Sequence, residues 1–311
     1  GVDMIADLVR APDLDADELE REKSVVLSEL GEARDTPDDI IFDHLQEAAF
    51  PGQSFGRAVL GDTDSIAAID AAALRGWIEA QYRPSGLVIA AAGKVDEDAL
   101  LRLAEARFGD MPAGAPPGVA SAHFSAGAKH DRRRFDQVHV ALAYPGLRHT
   151  DRQAHALALF TGAAGGGMSS RLFQQLREER GLAYSVYAWA QSYADTGLFG
   201  VYCAAAQPQA GAALALARAV LAQTAESLTE AELARARAQA KAGLLMGLEG
   251  IGTRCDHLAR QIQIHGRIVP PAETVAALDA VTLEEARGAG AAALAGGGAI
   301  ATVGGRLARA A

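Results

Sequence analysis

Two glutamates on one helical segment have the type and spacing of a metal ligand and its supporting carboxylate. Glu22 and Glu29 lie seven residues apart in the predicted helix 15–34, which places both on one stripe of its surface. Neither has a basic residue three or four positions away with which it could form a surface ion pair. Two interpretations stay open from spacing alone: a metal ligand with a second carboxylate that orients the site, or two solvated acids on an acidic helix.

An arginine and a tyrosine form the second candidate pair. Arg177 is predicted in the last turn of helix 168–180, Gly181 ends that helix, and Tyr184 begins the next strand, so both side chains can reach one corner. A guanidinium and a phenol are hydrogen-bond donors that could hold a peptide carbonyl or a developing oxyanion. The alternative is structural: Arg177 would interact with the helix dipole, and Tyr184 would be half-buried packing.

Other sequence patterns exclude several kinds of chemistry. The glycine-rich run 162–170 lacks both the lysine of a P-loop and the G-x-G-x-x-G spacing, so close helix packing explains it better than phosphate binding. The eight histidines form neither H-E-x-x-H nor H-x-x-E-H, and the sequence has no C-x-x-C and no G-x-S-x-G. This sequence therefore holds no complete zinc, dithiol or serine-nucleophile motif.

The composition bounds the class of protein. The 311 residues are 50% hydrophobic and 22% charged, with a formal net charge of -10, which favours a folded chain and argues against nucleic acid or anionic membrane as a partner. No apolar run is long enough to predict a transmembrane helix. Two cysteines, Cys203 and Cys255, favour a reducing, cytoplasmic location, with the periplasm left open. The chain begins at Gly1 in a predicted helix, so a trimmed N-terminus is expected.

Turn residues are densest at 111–122, where three prolines and two glycines occur without an apolar period, and this segment is predicted to be an interdomain linker. Helices are predicted at 15–34, 38–49, 64–82 and 97–108 before it, and at 151–163, 168–180, 208–226, 229–247, 252–265, 271–278 and 282–294 after it. Strands are predicted at 86–92, 135–144, 182–192, 196–205 and 298–303. This alternation favours an α/β or α+β fold.

An internal repeat indicates two copies of one fold. Four short segments recur in the same order at offsets of 209 to 214 residues. The longest, 66–74, recurs at 275–283, and the apolar segment 88–93 recurs at 299–304. The repeat predicts a first domain at 1–110, a linker at 111–122 and a second domain at 123–311, with the first domain incomplete at its start.

Several longer runs carry a resemblance to a known family. They are Glu20-Arg-Glu-Lys-Ser-Val-Val-Leu-Ser-Glu29, Phe42-Asp-His-Leu45, Phe55-Gly-Arg-Ala-Val-Leu-Gly61, Ala91-Ala-Gly-Lys-Val-Asp96, Gly166-Gly-Met-Ser-Ser-Arg-Leu-Phe173 and Arg180-Gly-Leu-Ala-Tyr-Ser-Val186. In this order they resemble the M16 (pitrilysin/insulinase-like) zinc metallopeptidases, especially the short branch similar to mitochondrial processing peptidase. The resemblance implies two homologous α/β (α+β) domains, each a mainly antiparallel sheet packed with helices.

The resemblance also implies roles for the two candidate pairs. Glu29 matches the distal zinc ligand and Glu22 the supporting carboxylate, whereas Arg177 and Tyr184 match a pair that holds the substrate. The family's remaining zinc ligands and its glutamate base lie in an H-x-x-E-H helix, which would precede Gly1. The cofactor implied is Zn²⁺.

The activity implied is that of a zinc-dependent endopeptidase that cleaves peptides or unstructured segments inside a closed chamber. This chain alone, without the H-x-x-E-H helix, is expected to be inactive. The alternative is a non-catalytic M16-like subunit that docks substrate or stabilises a partner peptidase. The partners implied are a peptide substrate and a second chain, as a homodimer or a heterodimer with another M16-like chain. Neither nucleic acid nor a membrane is expected as a partner.

Overall fold

A computed structural model describes residues 1–305 of the chain, and residues 306–311, the end of the predicted second domain, lie outside the described residues. The helices are α1 (Val2–Arg10), α2 (Ala16–Asp35), α3 (Pro37–Ala49), α4 (Thr63–Ala68), α5 (Ala71–Gln81), α6 (Glu97–Phe108), α7 (Ala154–Gly165), α8 (Ala210–Ser227), α9 (Glu230–Gly247), α10 (Ile251–His265), α11 (Pro271–Ala280) and α12 (Leu283–Ala295). A π-helix spans Phe173–Glu179. The strands are β1 (Ala128–Asp131), β2 (Val138–Pro145), β3 (Ser185–Ser192), β4 (Gly197–Ala205) and β5 (Ala299–Val303).

The five strands form one mixed sheet in the order β1-β5-β2-β4-β3. Strands β1 and β5 run parallel, and the other three pairings are antiparallel. The strand β3 therefore lies at one edge of the sheet, and β2 lies at its centre between β4 and β5. The predicted α+β class with a mainly antiparallel sheet is confirmed.

Helices cover both faces of this sheet, which explains why β2 and β4 read as nearly continuous apolar runs. On one face Val140 and Leu142 pack in a core with residues of α7, α8 and α12. On the other face Ala141 and Ala143 pack with α3, whose apolar residues include Ile41. The small alanine side chains let α3 approach that face closely.

Contacts divide the chain into two compact units. The first comprises residues 1–31, 60–120 and 246–268, and the second comprises residues 32–59, 121–245 and 269–311. The second unit contains the sheet, together with α3, α7, α8, α11 and α12. The predicted linker 111–122 has no helix or strand. The assignment of 1–110 and 123–311 to two homologous domains stays a prediction.

The predicted strand at 86–92 is wrong. Pro84–Gly86 is a short 3-10 helix, and no residue from 87 to 92 is in a strand of the described chain. Its repeat mate, β5, is paired on both sides, by β1 and by β2. A strand is defined by its partners, and an apolar sequence alone supplies none.

Three further differences are local, and the residue types explain the first two. The predicted helix 64–82 is two helices, α4 and α5, because the Asp70 carboxylate accepts a hydrogen bond from the Ala73 backbone and begins a new helix there. The strand β1 is not predicted from the sequence because three of its four residues are polar or charged. Most of the predicted helix 168–180 is a π-helix.

Among the described residues, no helix is long and apolar enough to cross a membrane.

Candidate functional site

The two candidate carboxylates lie on α2, in the first unit. The Asp15 carboxylate accepts hydrogen bonds from the Asp17 and Glu18 backbone nitrogens at 2.9 and 3.1 Å, which begins the helix where the sequence predicts. Glu22 and Glu29 are both exposed, and neither makes a hydrogen bond or ion pair with another described residue. Their position on one helical stripe is as predicted.

These residues do not by themselves make a zinc site. Structural and catalytic zinc ions take three or four protein ligands. The part of the chain that the structure describes contains no group of three or more histidine, cysteine, aspartate or glutamate side chains placed to hold a metal ion. Glu29 can therefore supply one ligand, and no chemical step through zinc follows from this chain's own residues.

The second candidate pair lies in the second unit, where a π-helix carries Arg177. A π-helix has wider turns than an α-helix, and such turns are frequent at functional sites. The π-helix ends at Glu179, and Gly181 follows in the left-handed conformation at φ 58°, as its predicted role at the helix end requires. The backbone then turns back towards the helix, because Leu182 N donates a hydrogen bond to Leu176 O at 2.8 Å.

Arg177 and Tyr184 are in contact. The Arg177 guanidinium lies 4.6 Å from the centre of the Tyr184 ring and 4.8 Å from that of Phe173. These are cation–π contacts, which hold the charge of the guanidinium against the rings without using its N–H groups in hydrogen bonds to them. Its ion-pair partner among the described residues is Glu178, at 3.6 Å. The predicted corner is therefore formed, with Arg177 held by rings.

Tyr184 is 71% exposed, which contradicts the alternative that it is half-buried packing. It directly precedes β3, and its backbone nitrogen donates to Ala204 O at 3.3 Å, so the edge of the sheet fixes its main chain. The phenol is thus a donor presented to solvent on a fixed backbone. Arg177 stands in the last turn of its helix, so a favourable interaction with the helix dipole accompanies its position in the corner.

A cleft of about 340 Å³ opens at this corner. The residues that line it are Asp38, Phe173, Arg177, Tyr184, Ser185, Val186, Tyr187 and Tyr202. Four of them are aromatic, one is a cation and one is a carboxylate. Aromatic rings beside a cation, a carboxylate and hydroxyl groups suit a ligand that has both apolar and polar parts.

Sequence reasoning missed the floor of this cleft. Tyr187 on β3 and Tyr202 on β4 are opposite each other in the sheet, with ring centres 5.1 Å apart. The Tyr202 hydroxyl is hydrogen-bonded to Nδ1 of His139 on β2, at 2.7 Å. The alternation of β3 could have flagged Tyr187, but the partnership with Tyr202 depends on strand register, which no local pattern gives.

Burial sets the protonation states in this region. It raises the pKa of Tyr187 and, more strongly, that of Tyr202, and the nearby Asp38 carboxylate raises both further. Burial lowers the pKa of His139, against the smaller opposing effect of Asp38. At neutral pH the two phenols are therefore protonated donors and the imidazole is neutral.

The glycine-rich run 162–170 supports this region by packing. A side chain at Gly165 would collide with the backbone nitrogen of Ala188 on β3, so the glycine lets α7 lie against that strand. The helix after it begins at Arg171, and the Ser170 hydroxyl just before it is buried and has no hydrogen-bond partner among the described residues, so it does not cap that helix. The close-packing interpretation fits this geometry.

Arg171, which opens that helix, forms a structural clamp that sequence reasoning did not single out. Its Nε and a terminal nitrogen donate to the two Glu232 oxygens at 2.6 and 2.7 Å, and its guanidinium also donates to Ser227. Both charged side chains are mostly buried, at 15% and 16% exposure. These hydrogen bonds, with those from Thr229, hold the pKa of Glu232 at about 2 despite its burial.

The fold and the site together define a class of protein. Residues 68–240, more than half of the chain, match the family described as the peptidase M16 inactive domain. Residues 1–63 match the insulinase (peptidase family M16) domain. The first match contains Arg177 and Tyr184, and the second contains Glu22 and Glu29. The chain belongs to the M16 peptidase family.

Related chains agree with this assignment. The chain is 33% identical over 296 residues to an uncharacterized zinc protease of Streptomyces coelicolor, with 92% of this chain and 64% of that one covered. It is 34% identical to one of Mycobacterium tuberculosis, covering 91% and 66%, and 30% identical to YmxG of Bacillus subtilis, covering 92% and 70%. The chain thus spans about two thirds of the length of these relatives.

Solved structures share the fold. A peptidase M16 inactive domain from Pseudomonas fluorescens superposes with a TM-score of 0.87 at 22% identity, over 99% of this chain and 75% of that one. A chain of complex III2 from Candida albicans gives the same TM-score at 21% identity, over 97% and 75%. At these identities the likeness shows the fold alone.

Proposed function

We propose that the whole protein is a zinc-dependent endopeptidase of peptides or unstructured segments, and that this chain supplies the surface that holds the substrate. The observation that carries the proposal is the corner in which the Arg177 guanidinium, 4.6 Å from the Tyr184 ring, lines a cleft formed by aromatic and polar side chains. The names of the relatives as zinc proteases support the metal.

The corner suits a peptide backbone. A peptide carbonyl oxygen is a strong acceptor, and the guanidinium edge of Arg177 and the hydroxyl of Tyr184 can both donate to it. Donors held in place before the substrate arrives cost little to organise, so they can orient the scissile peptide and favour charge that develops on its oxygen. Glu29 would donate one ligand to zinc, the metal that supplies the hydrolytic chemistry when bound, and Glu22 would support it.

The alternative is a non-catalytic M16-like subunit that docks substrate or stabilises a partner peptidase. The description of the family matched by 68–240 as an inactive domain favours it, and so does the lack of a three-ligand group among residues 1–305. In either case we propose that the chain acts with a second M16-like chain around a closed chamber.

Hydrolysis of a quenched-fluorescence, unstructured peptide by the purified full-length protein tests the proposal. Hydrolysis that stops with a zinc chelator and returns with added zinc is the expected result. Peptide binding without hydrolysis, with cleavage only after a second M16-like chain is added, would favour the non-catalytic subunit. A protein that neither binds nor cleaves the peptide, and that adds nothing to cleavage by a second M16-like chain, would contradict both functions.

A further inference from the structure

A buried polar pair lies beneath the cleft, on the sheet face that α3 covers. His139 on β2 is 8% exposed and Tyr202 on β4 is 4% exposed. The Tyr202 hydroxyl and His139 Nδ1 are 2.7 Å apart. Their neighbours on this face include Ala141 and Ala204, which are small and apolar. The pair is therefore a hydrogen-bonded polar feature beside small apolar neighbours.

Stability alone does not require these two polar groups. A buried hydrogen-bonded pair replaced by apolar groups of the same shape is often nearly neutral for stability, because the bond mainly repays the cost of desolvating its own partners. What the hydrogen bond adds is position. Because the phenol oxygen lies at the end of the ring axis, a hydrogen bond to a fixed imidazole restrains where the end of the side chain lies, a restraint that a phenylalanine lacks.

The protonation states allow that bond at neutral pH. Burial keeps the imidazole of His139 neutral, so one ring nitrogen is an acceptor, and burial keeps the Tyr202 hydroxyl protonated, so it can donate. His139 is itself held firmly, because it lies opposite Ala204 of β4 and Val303 of β5 on the central strand.

The orientation of Tyr202 matters to the cleft. Its ring lines the cleft, lies 5.1 Å from the ring of Tyr187, and stacks at 5.8 Å on Phe42 of α3. Tyr187 lies three residues after Tyr184 on the same edge segment. A displacement of the Tyr202 side chain would therefore disturb the floor beside the substrate-holding corner.

We propose that His139 is a positioning residue for this cleft: through its hydrogen bond to Tyr202 it fixes the floor against which a peptide held by Arg177 and Tyr184 lies. The inference rests on the proposed function, and it adds a residue that does not touch the substrate.

A double-mutant cycle on the full-length protein tests the proposal. The variants are His139→Leu, Tyr202→Phe and the double variant, and the measurement is the Kd of a fluorescein-labelled, unstructured peptide. Each single variant should weaken binding about fivefold, because the peptide must then order the Tyr202 side chain when it binds. The double variant should also weaken it about fivefold, because both changes remove the same bond. Tyr202→Phe removes one oxygen, so it keeps the test valid if His139→Leu does not fold.

Tyr144→Phe is the matched control. Tyr144 is also a buried tyrosine of this sheet, hydrogen-bonded to Arg218, but it belongs to the core on the opposite face. It should lower thermal stability about as much as Tyr202→Phe and leave the peptide Kd unchanged. Weakening by Tyr144→Phe equal to that by Tyr202→Phe, additive single effects, or unchanged binding in all variants would overturn the positioning role alone. A wild-type protein that binds no peptide would overturn the proposed function and this inference with it.

Discussion

The carboxylates on α2 and the corner at Arg177 differ in how much of their surroundings this chain provides. Glu22 and Glu29 stand exposed on a helix surface, and no described side chain contacts their charges. Arg177 lies between two aromatic rings, Tyr184 has its backbone held by β4, and a buried hydrogen bond supports the floor beside them. A metal ligand needs no partner within its own chain, because the metal and the other ligands hold it in the assembled site. A surface that orients a peptide binds well only if its side chains are already in place before the peptide binds. Mutations of the two pairs should therefore have different effects: loss of metal for Glu22 and Glu29, and loss of substrate binding for Arg177 and Tyr184.

The largest effect is expected at the metal. In the full-length protein, Glu29→Gln removes a charged ligand, and the zinc content should fall from about one per chain to nearly none, because a neutral amide is a poor zinc ligand. Metal analysis of the purified variant measures it. Because Glu29 is exposed, the thermal stability of the metal-free protein should hardly change. An unchanged zinc content would remove Glu29 from the metal site.

A variant of Glu22 separates the role of a supporting carboxylate from that of the metal ligand Glu29. Glu22→Gln should keep most of the zinc at saturating metal but weaken the zinc affinity or the activity roughly 10- to 100-fold, as expected for a residue that supports a ligand. Glu20→Gln is a matched control, since Glu20 is on the same helix and pairs with Lys23 at 2.7 Å. Equal effects of the two variants would mean that only the net charge of α2 matters.

At the corner, Arg177→Ala should lower kcat/KM for peptide hydrolysis about 100-fold, the usual cost of removing one donor to a developing oxyanion. Its zinc content should remain that of the wild type. Arg180→Ala removes an exposed arginine from the same segment and should change kcat/KM little. A loss of stability with full specific activity would assign Arg177 to packing.

Tyr184→Phe should have a smaller effect, about five- to tenfold on kcat/KM, because the ring that stacks on Arg177 is kept and only one neutral donor is lost. The comparison with Tyr184→Ala separates the two contributions of the side chain. If the phenylalanine variant were as active as the wild type while the alanine variant were not, the role of Tyr184 would be to hold Arg177 and not to donate to the substrate.

The smallest expected effect is a loss of folding stability on mutation of Glu232, which belongs to neither candidate pair. Glu232→Gln breaks the clamp with Arg171 and should lower the free energy of unfolding by about 1–2 kcal/mol at pH 7. The folded-state pKa of Glu232 is lowered to about 2. The stabilisation is therefore complete above its ordinary pKa and is lost as the pH falls from about 4.5 towards 2. Denaturant unfolding at pH 7 and pH 3 checks this: the gap between wild type and variant should narrow at pH 3, and a constant gap would contradict it.

Much of the fold could be predicted because local signals are strong where both faces of an element are buried. The apolar runs of β2 and β4 and the glycine that ends the helix before β3 were read correctly. The repeat mates 88–93 and 299–304 show what a local sequence pattern does not predict. Their sequences are alike, yet only the second is a strand, because β1 and β2 lie on either side of it. Pairing is a property of the fold that a local pattern does not carry.

The same limit applies to the site. Arg177 and Tyr184 could be predicted because a short turn at Gly181 brings them together within eight residues of sequence. Asp38, His139 and Tyr202 could not, because they come from distant elements and meet only through the register of β2, β4 and the packing of α3. The π-helix could not be predicted either, because its sequence has the pattern of an ordinary α-helix.

The most direct test of the account is the peptide affinity of the zinc-free full-length protein, measured for the wild type, Glu29→Gln and Arg177→Ala. If this chain holds the substrate independently of the metal, Glu29→Gln should bind an unstructured peptide as tightly as the wild type, and Arg177→Ala should bind it about tenfold more weakly, as expected for the loss of hydrogen bonds from a charged group. Arg177→Ala with wild-type affinity would contradict the claim that this corner is the substrate-holding site.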